Sequence, residues 1–259
     1  LDDIAEEREG TCVNTQTGRS IKSVVPMHAF GHPVDLGPLQ EVCDTYNLAI
    51  VEDAAESLGS LYEGQHTGTF GRCAAVSFNG NKTITTGGGG ALLTDDESLA
   101  DEVAHLTQVA KQDHPWAYVH DQTGYNYRMP NLNAALGCAQ LEQMPSFLGR
   151  KRALAERYRA AFAGVDGVTL FTEPNFARSN YWLNVLLLDP GGSDQRDTVL
   201  ERTRDAGFGT RPAWRLLNTL PMYEDCPQMD LSTAESLERR LVNLPSTPSL
   251  APENTKTRS

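Results

Sequence analysis

Between residues 21 and 53, two apolar runs flank one amphipathic helix, and that arrangement admits few folds. Residues 21–27 (Ile-Lys-Ser-Val-Val-Pro-Met) are β-branched and apolar and predict a strand. Asp35 offers an N-cap, and Leu36, Leu39, Val42, Cys43 and Tyr46 recur at helical spacing. A second run, Leu48-Ala-Ile-Val, ends abruptly at Glu52-Asp53. Strand, helix and strand in about 30 residues make a βαβ unit, whose strands are parallel. Parallel sheets bind ligands outside the carboxyl ends of their strands, so Asp53 stands where a ligand is read.

The rest of the chain extends this α/β pattern. Cys73-Ala-Ala-Val-Ser-Phe predicts a third strand and Gly90-Ala-Leu-Leu-Thr a fourth. Asp95 or Asp96 caps a helix with Leu99, Val103, Leu106 and Ala110 on one face; residues 111–130 read as a loop. Asn131 caps the next helix, with Leu132, Ala135, Leu136 and Ala139 facing inward. A separate helix runs from Ser146 to Phe162, and its basic residues Arg150, Lys151, Arg152, Arg157 and Arg159 read as a solvated face. Short strands at 168–171 and 181–188 follow, then a helix near 194–206 closed by Gly207. These patterns predict a mostly parallel sheet flanked by helices over residues 1–145, and a small α+β domain over 146–259.

Composition narrows function. The 259 residues carry 22 Lys+Arg against 34 Asp+Glu, a net charge of −12. Nucleic acid and anionic membranes select basic surfaces, so both are disfavoured. No apolar run approaches the roughly 20 residues of a membrane span. The five cysteines are scattered and odd in number, which fits a reducing cytoplasm better than a disulfide framework. The opening Leu-Asp-Asp-Ile-Ala-Glu-Glu, without Met or signal peptide, reads as a helix already under way, so the chain is expected to begin in mid-domain. The tail after Pro248 has no apolar periodicity and reads as a cut end.

One crossing carries the chemistry: Ser77-Phe-Asn-Gly-Asn-Lys82-Thr-Ile-Thr-Thr-Gly-Gly-Gly-Gly90, a lysine among small and hydroxyl residues between two strands. A lysine amine is a nucleophile when held against a carbonyl carbon. Pyridoxal phosphate supplies such a carbonyl, and it asks for a carboxylate at its ring nitrogen and donors at its phosphate. Asp53 can serve the first and Ser77 the second. Singly, each has an ordinary reading: Lys82 a surface lysine, Asp53 a helix cap, Ser77 a strand-end hydroxyl, the glycines a turn. Together, at one sheet edge, they favour the cofactor.

Those residues, with Val51-Glu-Asp53-Ala-Ala-Glu56-Ser-Leu-Gly-Ser60, Gly68-Thr-Phe-Gly71 and Gly124-Tyr-Asn126-Tyr-Arg-Met, resemble the DegT/DnrJ/StrS family of nucleotide-sugar aminotransferases over about residues 21–250. The resemblance implies a fold-type I, pyridoxal-phosphate-dependent enzyme. By position it implies that Lys82 holds the cofactor and shuttles the proton, Asp53 pairs with the ring nitrogen, Glu56 lies near the ring and Ser77 binds the phosphate. It implies that Asn126 reaches the cofactor of a neighbouring subunit, hence a homodimer with shared sites. Many members have Glu at the second position of the glycine run; here it is Gly88. The Gly-Asn-Lys and four-glycine form is similar to the bacillosamine and legionaminate branch, which implies a UDP-linked 4-keto-6-deoxy sugar as acceptor and glutamate as donor.

Arg178-Ser-Asn180-Tyr181-Trp182 and Thr210-Arg211-Pro-Ala-Trp214 resemble segments lining the sugar-nucleotide site, with Asn180, Tyr181, Arg211 and Trp214 as candidate contacts. His105, His114 and His120 form no metal-ligand motif, and His28 and His32 follow a strand end without an assigned role. The Gly-Thr phosphate loop and stacking aromatic expected of the family are not found in residues 1–20. An N-terminally truncated enzyme is therefore expected, with a non-catalytic relative lacking a working cofactor site as the alternative. The family's sugar dehydratases carry histidine where this chain has Lys82, which argues against elimination.

Overall fold

The computed structural model describes residues 1–251, so most of the expected polar tail lies outside the described residues. In chain order the elements are β1 (Ala5–Arg8), β2 (Thr11–Asn14), β3 (Ser23–Val24), α1 (Leu36–Thr45), β4 (Ala49–Asp53), β5 (Leu61–Tyr62), β6 (Gln65–His66), β7 (Cys73–Ser77), β8 (Gly90–Leu93), α2 (Glu97–Thr107) and α3 (Asn131–Phe162). They continue as β9 (Val168–Leu170), β10 (Ala177–Arg178), β11 (Asn184–Leu188), α4 (Arg196–Asp205), β12 (Arg211–Pro212), α5 (Ser232–Glu238) and β13 (Leu241–Leu244). Contacts divide them into one unit of Leu1–Pro145 with Asn175–Asn180, and a second of Ser146–Pro174 with the chain from Tyr181 onward. Residues 175–180, read from sequence as part of the second domain, join the first because β10 pairs antiparallel with β5.

In the first unit β3, β4, β7 and β8 form one sheet in that order, parallel except for β8. The crossover α1 lays Cys43 against Leu48, Ile50 and Cys12, with Leu39, Tyr46 and Val24 at the margin. Asp35 starts α1 without bonding its amides directly. The Tyr62 hydroxyl stands between them, donating to Asp35 Oδ1 at 2.8 Å and accepting from the Gly37 N–H at 2.9 Å. Asp96 caps α2 through the Leu99 N–H at 3.0 Å, as its position before the helix predicts. In the second unit β12, β13, β11 and β9 form an antiparallel sheet. Its core is Leu170, Leu186, Val242 and Leu244, packed with Tyr158 and Phe162 of α3 and Val199 and Leu200 of α4.

Four expectations are corrected. The opening residues form the β1–β2 hairpin rather than a helix. Glu9 and Gly10 both take positive φ (52° and 78°), the backbone that a two-residue hairpin loop of matching twist requires. The helices read at 131 and 146 are one helix, with Pro145 inside it. The inward face of its first half is not the apolar one: Leu132 is 84% exposed and Leu136 is exposed too. Asn133 Nδ2 instead donates to Thr86 O at 2.5 Å, Gln140 Oε1 accepts from Thr85 N at 3.4 Å, and Gly137 sits against Thr86. Polar side chains face inward here because the glycine-run crossing beneath them offers backbone groups to satisfy.

The basic cluster is a solvated face only in part: Arg157 and Arg159 are exposed, whereas Lys151 and Arg152 are drawn in. Lys151 is 3% exposed, and its ammonium donates to Trp182 O at 3.1 Å and Ser246 O at 2.6 Å. Burial lowers its pKa from 10.5 to about 8. Arg152 forms a two-pronged pair with Glu173, both bonds 2.7 Å, and Arg157 Nη1 donates to Leu250 O at 2.9 Å. Long cationic side chains bury their methylenes while their heads find carbonyls, and helical periodicity does not register that possibility.

Candidate active site

The parallel register places Asp53 opposite Ala75 at the end of the β4–β7 pair. Side chains alternate along a strand, so Asp53, Ala75 and Ser77 share one face, while Ile50, Glu52, Ala74 and Val76 are buried on the other. A carboxylate and a hydroxyl thus flank an alanine at the carboxyl ends of parallel strands. The Asp53 carboxylate accepts the Ala55 N–H at 3.1 Å, and its backbone N–H is tied to Pro26 O at 2.9 Å.

Lys82 follows β7 in a turn closed by its own N–H to Asn79 O at 3.1 Å. Its ammonium lies 3.7 Å from Glu56 Oε1, both side chains mostly enclosed. Glu56 Oε2 accepts the Phe30 N–H at 2.7 Å. Burial pushes the Glu56 carboxyl above its ordinary value; the Phe30 N–H and the Lys82 charge oppose that rise, and the Asp53 charge adds to it. Glu56 therefore senses both Lys82 and Asp53. The crossing that carries Lys82 returns through the glycine run, where Gly87 and Gly89 take positive φ (82° and 95°). A side chain at Gly90 would meet Val76 O at 2.3 Å, whereas Gly88 has open space around it. Position 88 thus has room for a larger residue.

Beneath this layer lies a group to which no role attaches from sequence alone. Glu52 is 0% exposed and accepts four hydrogen bonds: His28 Nε2 at 3.0 Å, Gly68 N at 2.7 Å, Phe70 N at 2.7 Å and Gly71 N at 2.9 Å. Burial pushes its carboxyl up, and these bonds outweigh burial and hold it below the ordinary range. The Gly68-Thr-Phe-Gly71 motif is the loop whose amides wrap this carboxylate. Parity was the available signal, since 48, 50 and 52 fall on the apolar side of the strand.

The remaining candidates divide. Asn180 is 1% exposed, and its amide donates to Glu56 O and Leu58 O at 2.9 Å and Thr83 Oγ1 at 3.3 Å. It ties the Glu56 loop to the lysine crossing. Asn126 is exposed on the 111–130 loop, bridged to Gln108 and flanked by the stacked rings of Tyr125 and Tyr127. In the second unit Tyr181 is buried, its ring under the Arg152 guanidinium and its hydroxyl 3.4 Å from the Glu173 N–H. Arg211 is exposed, and Trp214 is exposed and stacked on buried Trp182.

The donor set fits pyridoxal phosphate. A carboxylate and a hydroxyl share a face over a residue no larger than alanine, which leaves room for a flat ring, and an amine rises from the next turn. Among the described residues no helix is long and apolar enough to cross a membrane, and no His/Cys/Asp/Glu cluster could hold a metal.

Comparison with known proteins places the chain in a family. GDP-perosamine synthase of Escherichia coli O157:H7 is 39% identical over 232 residues, covering 90% of this chain and 62% of that protein. EpsN of Bacillus subtilis, described as a pyridoxal phosphate-dependent aminotransferase, is 35% identical over 89% of this chain and 60% of its own length. Among solved structures, DesV from S. venezuelae, in complex with a ketimine intermediate, superposes with a TM-score of 0.79 at 30% identity, over 88% of this chain and 61% of that one. The chain thus spans about three fifths of the length of these relatives. The model of the DegT/DnrJ/EryC1/StrS aminotransferases matches residues 6–257, and the chain belongs to that family.

Proposed function

We propose that this site serves a pyridoxal-phosphate-dependent aminotransferase acting on a nucleotide-linked 4-keto-6-deoxy sugar. The observation that carries the reading is the convergence of Asp53 and Ser77 on one face of the β4–β7 edge with Lys82, whose ammonium lies 3.7 Å from Glu56. When bound, the cofactor supplies a carbonyl carbon for an amine and a ring that withdraws electrons. Asp53 would hold the ring nitrogen and the Ser77 hydroxyl would donate to the phosphate. Lys82 Nζ would carry the proton of the transfer, taking it from the amino donor and, in the reverse half, giving it to the keto sugar. Glu56, 3.7 Å from that amine, would steady it between these transfers.

Glutamate is the proposed donor. The nucleotide is the point on which the observations differ. The glycine run resembles the branch that takes UDP sugars, while a 39%-identical relative is named for a GDP sugar. Exposed Arg211 and Trp214 offer charge for a diphosphate and an aromatic face for a base. Exposed Leu132, Leu136, Tyr125 and Tyr127 are the surface we propose for a second subunit, with Asn126 among them reaching the neighbouring cofactor. The free cysteines fit a cytoplasmic location.

The test is reduction with borohydride after incubation with pyridoxal phosphate, followed by peptide mapping. A pyridoxyl group on the Lys82 peptide, lost in Lys82→Arg, is the expected result. Its absence would leave the non-catalytic relative as the better reading. Supplying UDP- and GDP-linked keto sugars with glutamate, and measuring 2-oxoglutarate release, then decides the nucleotide.

A further inference from the structure

His28 and Glu52 lie outside the donor set, yet both are fully buried and bonded to each other at 3.0 Å. Strand alternation turns Glu52 away from Asp53, so neither it nor His28 faces the expected ring. The imidazole has a second bond: Nδ1 accepts the Val34 N–H at 3.1 Å. With an acceptor at Nδ1 and a carboxylate at Nε2, the bonding pattern assigns the neutral tautomer with its proton on Nε2. His28 therefore fixes both ends of the 28–34 turn to β4.

Inside that turn Phe30 takes φ 59° and Gly31 φ 90°. A left-handed conformation in a bulky residue persists only where its surroundings over-determine it. The surroundings are visible: Gly31 O accepts from Ser60 Oγ at 2.7 Å and from Ser179 Oγ at 2.8 Å, and the His28 N–H is bonded to Asp53 O at 3.1 Å. The outcome is one aimed donor, the Phe30 N–H at 2.7 Å from Glu56 Oε2, while Glu56 Oε1 stands 3.7 Å from the Lys82 ammonium. Glu52, His28, the Phe30 turn, Glu56 and Lys82 form an unbroken series within the first unit.

We infer that His28 and Glu52 are positioning residues which, by locking the Phe30 turn, aim its N–H at Glu56 and so govern how available the Lys82 amine is for reaction. Its catalytic meaning rests on the reading of Lys82 as the reacting amine; the coupling itself holds with or without cofactor.

The test uses the cofactor-free chain. It is treated with trace acetic anhydride at about pH 8, below the ordinary lysine range. Acetylation of Lys82 is read by peptide mass spectrometry against exposed Lys22 as internal standard. The Glu56 carboxylate ion-pairs the Lys82 amine at 3.7 Å and keeps it from the reagent, so Glu56→Gln raises Lys82 labelling, by about threefold or more. His28→Leu raises it to a similar degree, because the released turn no longer holds Glu56 Oε2 through the Phe30 N–H and the carboxylate swings away from the Lys82 amine. His28→Gln keeps a donor toward Glu52 but places no acceptor where Nδ1 stood, and falls between. In the Glu56→Gln background neither His28 variant adds anything. A role confined to stability would leave folded variants labelling at the native rate, or raise the rate equally in both backgrounds. Native-rate labelling in His28→Leu overturns the inference. If that variant does not fold, the same result in His28→Gln overturns it, as does a His28 effect undiminished in Glu56→Gln. Borohydride mapping separates the two readings: coupled labelling without a pyridoxyl group on Lys82 sinks the enzyme and keeps the coupling, and the converse does the reverse.

Discussion

Lys151→Met isolates the energetic consequence of a buried ammonium. In the fold Lys151 has two carbonyl acceptors and a pKa lowered by burial from 10.5 to about 8. In the unfolded chain it keeps its proton up to the ordinary lysine range. Between those values the unfolded state binds more protons, so stability rises with pH. The penalty is fully present below about pH 8 and is relieved as pH climbs toward 10.5. At about 1.4 kcal/mol per unit, the displacement corresponds to about 3 kcal/mol. Methionine fills similar space without charge, but it leaves the Trp182 and Ser246 carbonyls without that donor, at about 1–3 kcal/mol each. Near neutral pH the two changes roughly offset. The informative quantity is therefore the difference between native and variant stability, from urea unfolding followed by tryptophan fluorescence between about pH 7 and 10. That difference should move in favour of the native chain by about 1.4 kcal/mol per pH unit above pH 8. Other groups that titrate there, such as Tyr158 and Tyr181, whose pKa values burial raises, are common to both proteins and cancel. Parallel stability curves would refute the reasoning, since they require Lys151 to hold its proton equally well folded and unfolded.

Further substitutions probe the site. Glu52→Gln loses an ionised acceptor of four bonds and should destabilise by about 3–5 kcal/mol, with a smaller loss of stability on acidification than the native chain, because a carboxyl held below its ordinary value stabilises above that value and ceases to as pH falls through the folded pKa; urea titrations at about pH 4 and 7 measure both. Gly71→Ala drives a Cβ to 2.5 Å from Ile50 O, so the loop around Glu52 must shift and the thermal midpoint should fall by several degrees in calorimetry. Asn180→Ala removes the amide that bonds Glu56 O and Leu58 O and reaches Thr83 Oγ1, and hydrogen exchange at residues 56–58 should accelerate about tenfold or more, an unchanged rate excluding the clamp. Leu136→Glu puts charge on the exposed face of α3 and should lower the sedimenting mass if that face meets a second subunit, with little effect on thermal stability otherwise.

What the sequence made legible follows the strength of each local signal. The βαβ unit, the Asp96 cap and the strand-end placement of Asp53 and Ser77 rest on periodicity and capping, which act over a few residues. The opening hairpin was missed because its strands, Ala5–Arg8 and Thr11–Asn14, are polar and short, so Glu9-Gly10 was the only cue. The inward face of α3 was misread because Leu132 and Leu136 carry the stronger apolar signal, while Asn133 and Gln140 are drawn in by backbone groups of a crossing some 50 residues earlier in the chain. Lys151 was misread for the same reason: its acceptors, Trp182 O and Ser246 O, belong to distant segments.

Glu52 and Asp53 bring these limits together. Two adjacent carboxylates end the same strand, and composition, charge and motif treat them alike. Alternation sends one inward, where four donors must satisfy it, and leaves the other on the face where a ring nitrogen could be held. A buried carboxylate with that many donors organises backbone, and here the backbone is the 68–71 loop and, through His28, the turn that aims Phe30 at Glu56. Exchanging the two roles would require slipping β4 by one residue, which would also expose Leu48 and Ile50. The register that buries those apolar residues is thus the same register that separates the structural acid from the chemical one, so the fold's stability and the site's geometry are fixed by a single choice of strand pairing.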